Sequence, residues 1–367
     1  MFLTILVFFI TLSTLIIFHE LGHFLVAKKT GIKVEEFGLG YPPRAWGKKI
    51  GETTYSLNLI PFGGFVRLYG EDRAQTKQKE RSFWAKSWRV RLAVILAGIV
   101  ANVFLSWILF SANFLIVGVP VKTDKVIFEA VIADSPADKA GIEPGDVAVS
   151  FAGVPVTSID GFIKQIEARK EVSTNLIILK EGVEKEIEIT PRVETQEGEG
   201  PLGVIISSYE LAHFPFWQMP FRAGAEGLKE TWGWLVMIAG SLLKMIRELI
   251  FSGQVPQDVA GPIGILQVTS QVARSGVVAV FQFIGILSIN LAIINTLPFP
   301  ALDGGRFAFL VVELITGRRN HEKVEQWVNR MGMIFLLLLM LLVTINDIKR
   351  VLTTTEFGGR VLELWPF

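Results

Sequence analysis

The stretch Phe2–Ala27, FLTILVFFITLSTLIIFHELGHFLVA, decides how this chain folds. It is apolar over Phe2–Phe18 and again over Leu21–Ala27. Together these are long enough for a helix across a hydrocarbon core of about 30 Å. A cleaved secretory signal would carry a basic start and a small-residue cleavage site; neither is visible, so a retained span is expected. The polar interruption, His19-Glu20-Leu21-Gly22-His23, spaces two imidazoles four residues apart. On a helix that spacing puts both on one face, within reach of one metal ion. Glu20 lies between them, placed to take a proton from an attacking water. Ionisable groups within an apolar run are costly, and their presence points to function.

The rest of the composition agrees with a membrane protein. Of 367 residues, 50% are hydrophobic and 19% charged, against about a quarter charged in soluble domains. The net charge of +1 offers no basic field for nucleic acid. There is no cysteine, which excludes disulfides, a thiol nucleophile and thiolate-bound metals. Further apolar runs cover Leu92–Val119, Gly276–Leu297 and Met331–Ile345, the last expected to begin a few residues earlier. Trp232–Leu243 is too short to span and is flanked by Lys229, Glu230, Lys244, Arg247 and Glu248, which reads as an amphipathic helix at the interface. Four spans are expected.

Charge orients them. The segment Lys28–Arg89 holds 13 Lys/Arg against 6 Asp/Glu, and the loop after the third span carries Arg306, Arg318, Arg319, Lys323 and Arg330. Both are expected on the cytoplasmic side, which leaves the segment from about 120 to 275 outside.

Two histidines leave a catalytic metal site one protein ligand short. His213 falls in the outer segment and His321 among charges, and both read as surface residues. Asp303, in Asn295-Thr-Leu-Pro-Phe-Pro-Ala-Leu-Asp303-Gly-Gly, follows the inner end of a span that runs in the same direction as the first. Two prolines break the helix there, and irregular backbone at that depth is tolerated where it lines a cavity. The alternative for Asp303 is an N-cap of the following helix.

These two motifs, in this order and each on a span, resemble the site-2 protease family of intramembrane zinc metalloproteases, in its bacterial branch with an inserted PDZ domain. The resemblance implies His19, His23 and Asp303 as ligands of one zinc ion, Glu20 as catalytic base, and Asn295 as a group holding the substrate or its developing oxyanion. Pro61-Phe-Gly63-Gly64-Phe-Val-Arg67 resembles the family's membrane-associated β-hairpin, which would present an edge to an extended substrate. Tyr55, Leu57 and Leu59 alternate before it, and Gly63-Gly64 is expected to supply a turn. Ala97-Gly-Ile-Val-Ala-Asn102 resembles a second-span motif that has proline where this chain has Ile99. It would bring Asn102 to the substrate; the plainer reading is that Gly98 and Asn102 pack helices together.

Residues 121–206 regain charge and short alternating segments. Ser135-Pro136-Ala137-Asp138 is a helix start, Glu143-Pro-Gly-Asp146 a turn into the strand Val147–Phe151, and Ser158–Lys170 a second helix before strands near Asn175–Lys180 and Glu184–Thr190. Ser135–Asp146 closely resembles a bacterial PDZ domain, which would take an extended peptide or chain end by strand addition. Pro201-Leu-Gly-Val204 would border its groove or begin the return to the membrane.

The fold expected is therefore a polytopic α-helical membrane protein with about four transmembrane helices and an extracytoplasmic α+β PDZ insert. Residues 1–119 form a first membrane half, with spans at about 2–27 and 92–119 and a cytoplasmic β-hairpin loop at about 50–70. Residues 120–206 form the PDZ domain and 207–275 the interfacial region. Residues 276–367 form a second membrane half, with spans at about 276–297 and 328–345. The function expected is zinc-dependent cleavage of single-span membrane proteins in the bacterial cytoplasmic (inner) membrane. An anti-sigma factor, a signal-peptide remnant or a pheromone precursor would suit, with the insert acting as a size filter. The partners are these substrates and the lipid bilayer, with no nucleic acid. The rival readings are a catalytically inactive PDZ adaptor, a membrane-anchored zinc peptidase with a cytosolic site, and a zinc transporter.

Overall fold

Among the described residues of the computed structural model (2–70, 79–193, 199–252, 261–317 and 322–354), two compact units are found. The first comprises Met1–Ile116 with Ala223–Phe367, and the second Val117–Arg222.

The first unit begins with α1 (Phe2–Lys29), which carries the His-Glu motif and ends on Lys28 and Lys29, the sign of charge a helix C-terminus favours. Its end is a Schellman motif. Gly31 takes a φ of 72°, its N–H donates to the Lys28 carbonyl, and the Ile32 N–H donates to Ala27, with Ala27 and Ile32 both buried. The chain then forms β1 (Val34–Ile50) and β2 (Thr53–Leu68), which fold into one ribbon. Its tip is the turn at Gly51-Glu52, between paired Ile50 and Thr53. Residues 36–39 have partners on both sides, at 54–57 and at 64–67. The expected turn at Gly63-Gly64 is absent, because both lie inside β2. These glycines serve close approach instead. A Cβ on Gly64 would lie 2.6 Å from Ile16 Cγ2 and 3.1 Å from Glu20 Cγ, and Gly63 holds a φ of 95° against the Tyr41 ring.

Helix α2 (Trp88–Val117) buries Val94, Ile95, Gly98, Asn102, Leu105, Ser106, Phe110 and Asn113, the spacing of one helical face. After the second unit, α5 (Met219–Ser252) runs for 34 residues, far longer than the uncharged segment Trp232–Leu243. It meets α2 where Trp107 Nε1 donates to the Gly224 carbonyl and Gly227 packs against Ser111. Helix α6 (Pro262–Arg274) follows, its start held by Asp347, which accepts from the Gly261 and Gly264 N–H groups at 3.3 and 3.0 Å. Helix α7 (Val277–Thr296) packs on α2, with Gly285 against Phe110 and Ser288 donating to the Asn102 carbonyl. Helix α8 (Asp303–Thr316) ends at Gly317, and α9 (Glu322–Thr354) extends beyond its apolar run in both directions. Among the described residues four helices, α1, α2, α7 and α9, are long and apolar enough to cross a membrane. His321, Arg318 and Arg319 lie outside the described residues.

The second unit is a six-stranded sheet from β3 (Val119–Val131), β4 (Val147–Phe151), β5 (Val154–Pro155), β6 (Thr174–Lys180), β7 (Val183–Ile189) and β8 (Val204–Ala212). Its order is β7-β6-β4-β3-β8, with β5 on β4. The helix start at Ser135 is as the sequence indicates: its side chain accepts from the Asp138 N–H and caps α3 (Pro136–Lys139). Ser158 caps α4 (Ile159–Glu167) in the same way. The core holds Phe128, Phe151, Phe162, Leu176 and Ile178, with Phe162 edge-on to both other rings.

Candidate metal centre

Helix α1 presents His19 and His23 one turn apart, their ring centroids separated by 4.9 Å. Asp303 reaches them from the first residue of α8, 280 residues on in sequence. It does not cap that helix. The capping position is Leu302, and the Asp303 carboxylate turns to the imidazoles. The backbone path makes this possible. Gly304 and Gly305 lie against the Leu297 and Phe299 carbonyls, where no side chain fits. Ala301 takes a φ of 72°, and its N–H donates to Asn329 Oδ1 on α9 at 3.3 Å.

Three atoms converge. His19 Nε2 and His23 Nε2 are 3.3 Å apart, and Asp303 Oδ2 lies 3.2 and 3.1 Å from them. Zinc bonds of about 2.0–2.2 Å at a tetrahedral angle set donor atoms about 3.3–3.5 Å apart. The three separations fall within a few tenths of an ångström of that figure. Asp303 Oδ2 is also buried with no hydrogen bond of proper geometry, although it faces two imidazoles. Such an orphaned anionic oxygen fits a cation. Among the described residues this is the one grouping of three metal-ligating side chains. Burial alone would raise the Asp303 carboxyl, but His23 and His19 outweigh it and hold the group well below the usual carboxylate range.

Helix α2 supports the two rings from behind with three positions spaced by four. The Val94 carbonyl lies 2.7 Å from His23 Nδ1. At Gly98 the backbone passes so close that a Cβ would lie 2.7 Å from His19 Cε1 and closer still to His23 Nε2. The Asn102 side chain lies 3.3 Å from His19 Nδ1. Gly22 on α1 makes the reciprocal approach, against the Ala97 carbonyl and Ala101.

Of the other residues singled out in the sequence, Gly64 sits against Glu20 and Gly63 precedes it in the same strand. Glu20 lies on α1 between the two imidazoles in sequence, with Gly64 packed against its Cγ. Asn295 is buried near the end of α7 with no hydrogen bond to the His pair. His213 lies beside Gly118 in the second unit and is not one of the three grouped side chains. Sequence reading missed the Val94 carbonyl and Asn329. A carbonyl carries no residue signature, and an asparagine on α9 has no local mark of tying down a loop.

Comparison with known proteins places the geometry in context. The family described as Peptidase family M50 matches residues 7–339. The zinc metalloprotease RasP of Geobacillus kaustophilus is 30% identical, over 95% of this chain and 98% of its own. The regulator of sigma-W protease RasP of Bacillus subtilis is 29% identical over the same shares. Among solved structures, the PDZ domain of an SdrC-like protein from Listeria monocytogenes is 21% identical with a TM-score of 0.21, over 23% of this chain and 90% of its own.

Proposed function

Because this chain belongs to peptidase family M50, we propose that His19, His23 and Asp303 hold its zinc and that Glu20 is its catalytic base. The protein is a membrane-embedded zinc metalloendopeptidase of the site-2 protease type, acting in regulated intramembrane proteolysis. The observation that carries the site assignment is the triangle of His19 Nε2, His23 Nε2 and Asp303 Oδ2, with sides of 3.1 to 3.3 Å. A triangle of that size supports the reading that one ion is held.

A zinc ion at that triangle supplies Lewis acidity, polarising the scissile carbonyl and lowering the pKa of a water to about 7. The remaining work falls to the chain. Glu20 accepts a proton as the water oxygen bonds to the carbonyl carbon, and returns it to the nitrogen as the C–N bond breaks. Only an extended backbone exposes a peptide bond to this chemistry, since a helix hides its amides in internal bonds. The edge of β2 at 64–67, paired on one side with 36–39, runs past Glu20 and can hold such a segment by strand addition. Asn295 is assigned to the substrate carbonyl on the strength of the motif it shares with Asp303.

The substrates assigned are single-span proteins of a bacterial cytoplasmic membrane, with an anti-sigma factor the first to try, given the sigma-W regulator among the relatives. The second unit is assigned the PDZ role, facing outward by the positive-inside tendency. Among the described residues β8 pairs with β3 alone, which supports strand addition of a peptide on its other edge. The test pairs the intact protein with Glu20→Gln on a tagged single-span substrate. The exchange should leave zinc bound and slow cleavage by about 10²–10⁴-fold. Cleavage at the original rate would overturn the assignment.

A further inference from the structure

The two imidazoles that converge through Nε2 have their other nitrogens turned away from the triangle, and those nitrogens have different partners. With zinc held as proposed above, those partners decide which nitrogen is free for the metal. An imidazole that ligates through Nε2 is neutral and keeps its proton on Nδ1, so Nδ1–H needs an acceptor. For His23 the acceptor is the Val94 carbonyl at 2.7 Å. For His19 the group opposite Nδ1 is the Asn102 side-chain amide at 3.3 Å, on a residue that is 0% exposed.

The amide orientation matters. With Nδ2 toward the ring, Asn102 donates to a bare Nδ1, and the ring then carries its proton on Nε2, where the metal would bind. In that arrangement Asn102 Oδ1 is buried with no hydrogen-bond partner. An amide's oxygen and nitrogen exchange places by a half-turn with no change of shape, and their assignment follows the hydrogen-bond network. The half-turn offers Oδ1 to His19 Nδ1–H and selects the tautomer that leaves Nε2 free.

We propose that Asn102 is the positioning residue of His19, its Oδ1 accepting the Nδ1–H so that Nε2 is bare and aimed at the metal. Two neighbours hold it in place. Ser288 Oγ donates to the Asn102 backbone carbonyl at 2.8 Å, and Gly98, one turn earlier, lets the rings come close to α2. Asn102 thus does for one ligand what a backbone carbonyl does for the other.

The experiment measures zinc affinity of the full-length protein in detergent, by competition with a chelator, together with the visible spectrum of the cobalt-substituted form. Asn102→Leu removes the acceptor at similar volume and should weaken zinc binding by about 10–100-fold. Asn102→Asp keeps an acceptor and loses the amide donor, and should recover affinity to within a few-fold of the original. The cobalt spectrum should shift in the leucine variant and return in the aspartate variant. Unchanged zinc affinity and cobalt spectrum in Asn102→Leu would overturn the proposal; a rise in KM alone would instead make Asn102 a substrate contact. Failure of Asn102→Asp to recover while its helicity and melting temperature are intact would also overturn it. His19→Ala is the control for the underlying reading. Zinc retained at full affinity there would sink the metal site itself, whereas zinc lost there but unchanged in Asn102→Leu would sink the positioning role alone.

Discussion

Gly98 sets how closely the imidazoles of His19 and His23 can approach α2. Any side chain at this position enters the space of the rings, so Gly98→Ala must either push His19 and His23 off their aim or part the helices. We expect zinc content after dialysis against a weak chelator to fall about tenfold or more. Overpacking should add a cost of about 1–3 kcal/mol in stability. Metal analysis with a thermal melt checks both, and a full complement of zinc in Gly98→Ala would refute the close-approach argument. At this scale the helical period alone made His19, Glu20 and His23 legible, since four residues return to the same face. Asp303 was legible as the candidate third ligand, from its depth and the motif around it, with a helix cap as the alternative reading. A carboxylate at a helix start is equally at home as a cap, and the choice is made by the backbone between Leu297 and Leu302. That path depends on Asn329 and Gly332 of α9, which packs against Pro300, and no local pattern announces such long-range contacts.

At the scale of elements, α8 must be fixed for Asp303 to meet α1. Arg91 of α2 and Glu313 of α8 form a two-pronged pair at 2.9 and 2.7 Å, with side chains 4% and 13% exposed. The guanidinium also lies 5.0 Å from the centre of the Trp84 ring. Breaking such a pair strands a buried charge, whereas replacing both partners with apolar residues is far gentler. Glu313→Leu should therefore destabilise the protein by about 3–5 kcal/mol. The double exchange Arg91→Met with Glu313→Leu should recover most of it, as read by melting temperature in detergent. Equal losses in the single and double variants would count against the pair. Elements were read from sequence with uneven success for a physical reason. Uniformly apolar helices such as α2 and α7 stand out by composition. Helix α5 mixes apolar and charged positions along 34 residues, so only its uncharged middle was visible. The Gly63-Gly64 pair looked like a turn because turns and close approaches call for the same residue.

At the scale of the whole molecule, the proposed ligand set joins the start of the chain to a helix 280 residues later. Metal that binds only the folded arrangement must stabilise it. Free zinc at a hundred times its dissociation constant adds about 2.7 kcal/mol. Stripping the metal with a strong chelator should abolish cleavage and lower the melting temperature, and zinc should restore both. A melting temperature indifferent to zinc would contradict a site built across α1 and α8. The second unit offers a separate test. It has its own core, so Val117–Arg222 expressed alone should give a cooperative thermal transition with β-sheet circular dichroism. A featureless melt would show that it depends on the rest of the chain.

The first strand of that unit starts where its last one stops, since Val119 pairs with Ala212 and Pro120 with Leu211. Chain entry and chain exit therefore share one neck, two strands wide. An insert attached in this way is exchangeable: a different domain with neighbouring termini could occupy the same socket without rethreading any helix. Selection could thus revise that domain independently of the helices that carry His19, His23 and Asp303.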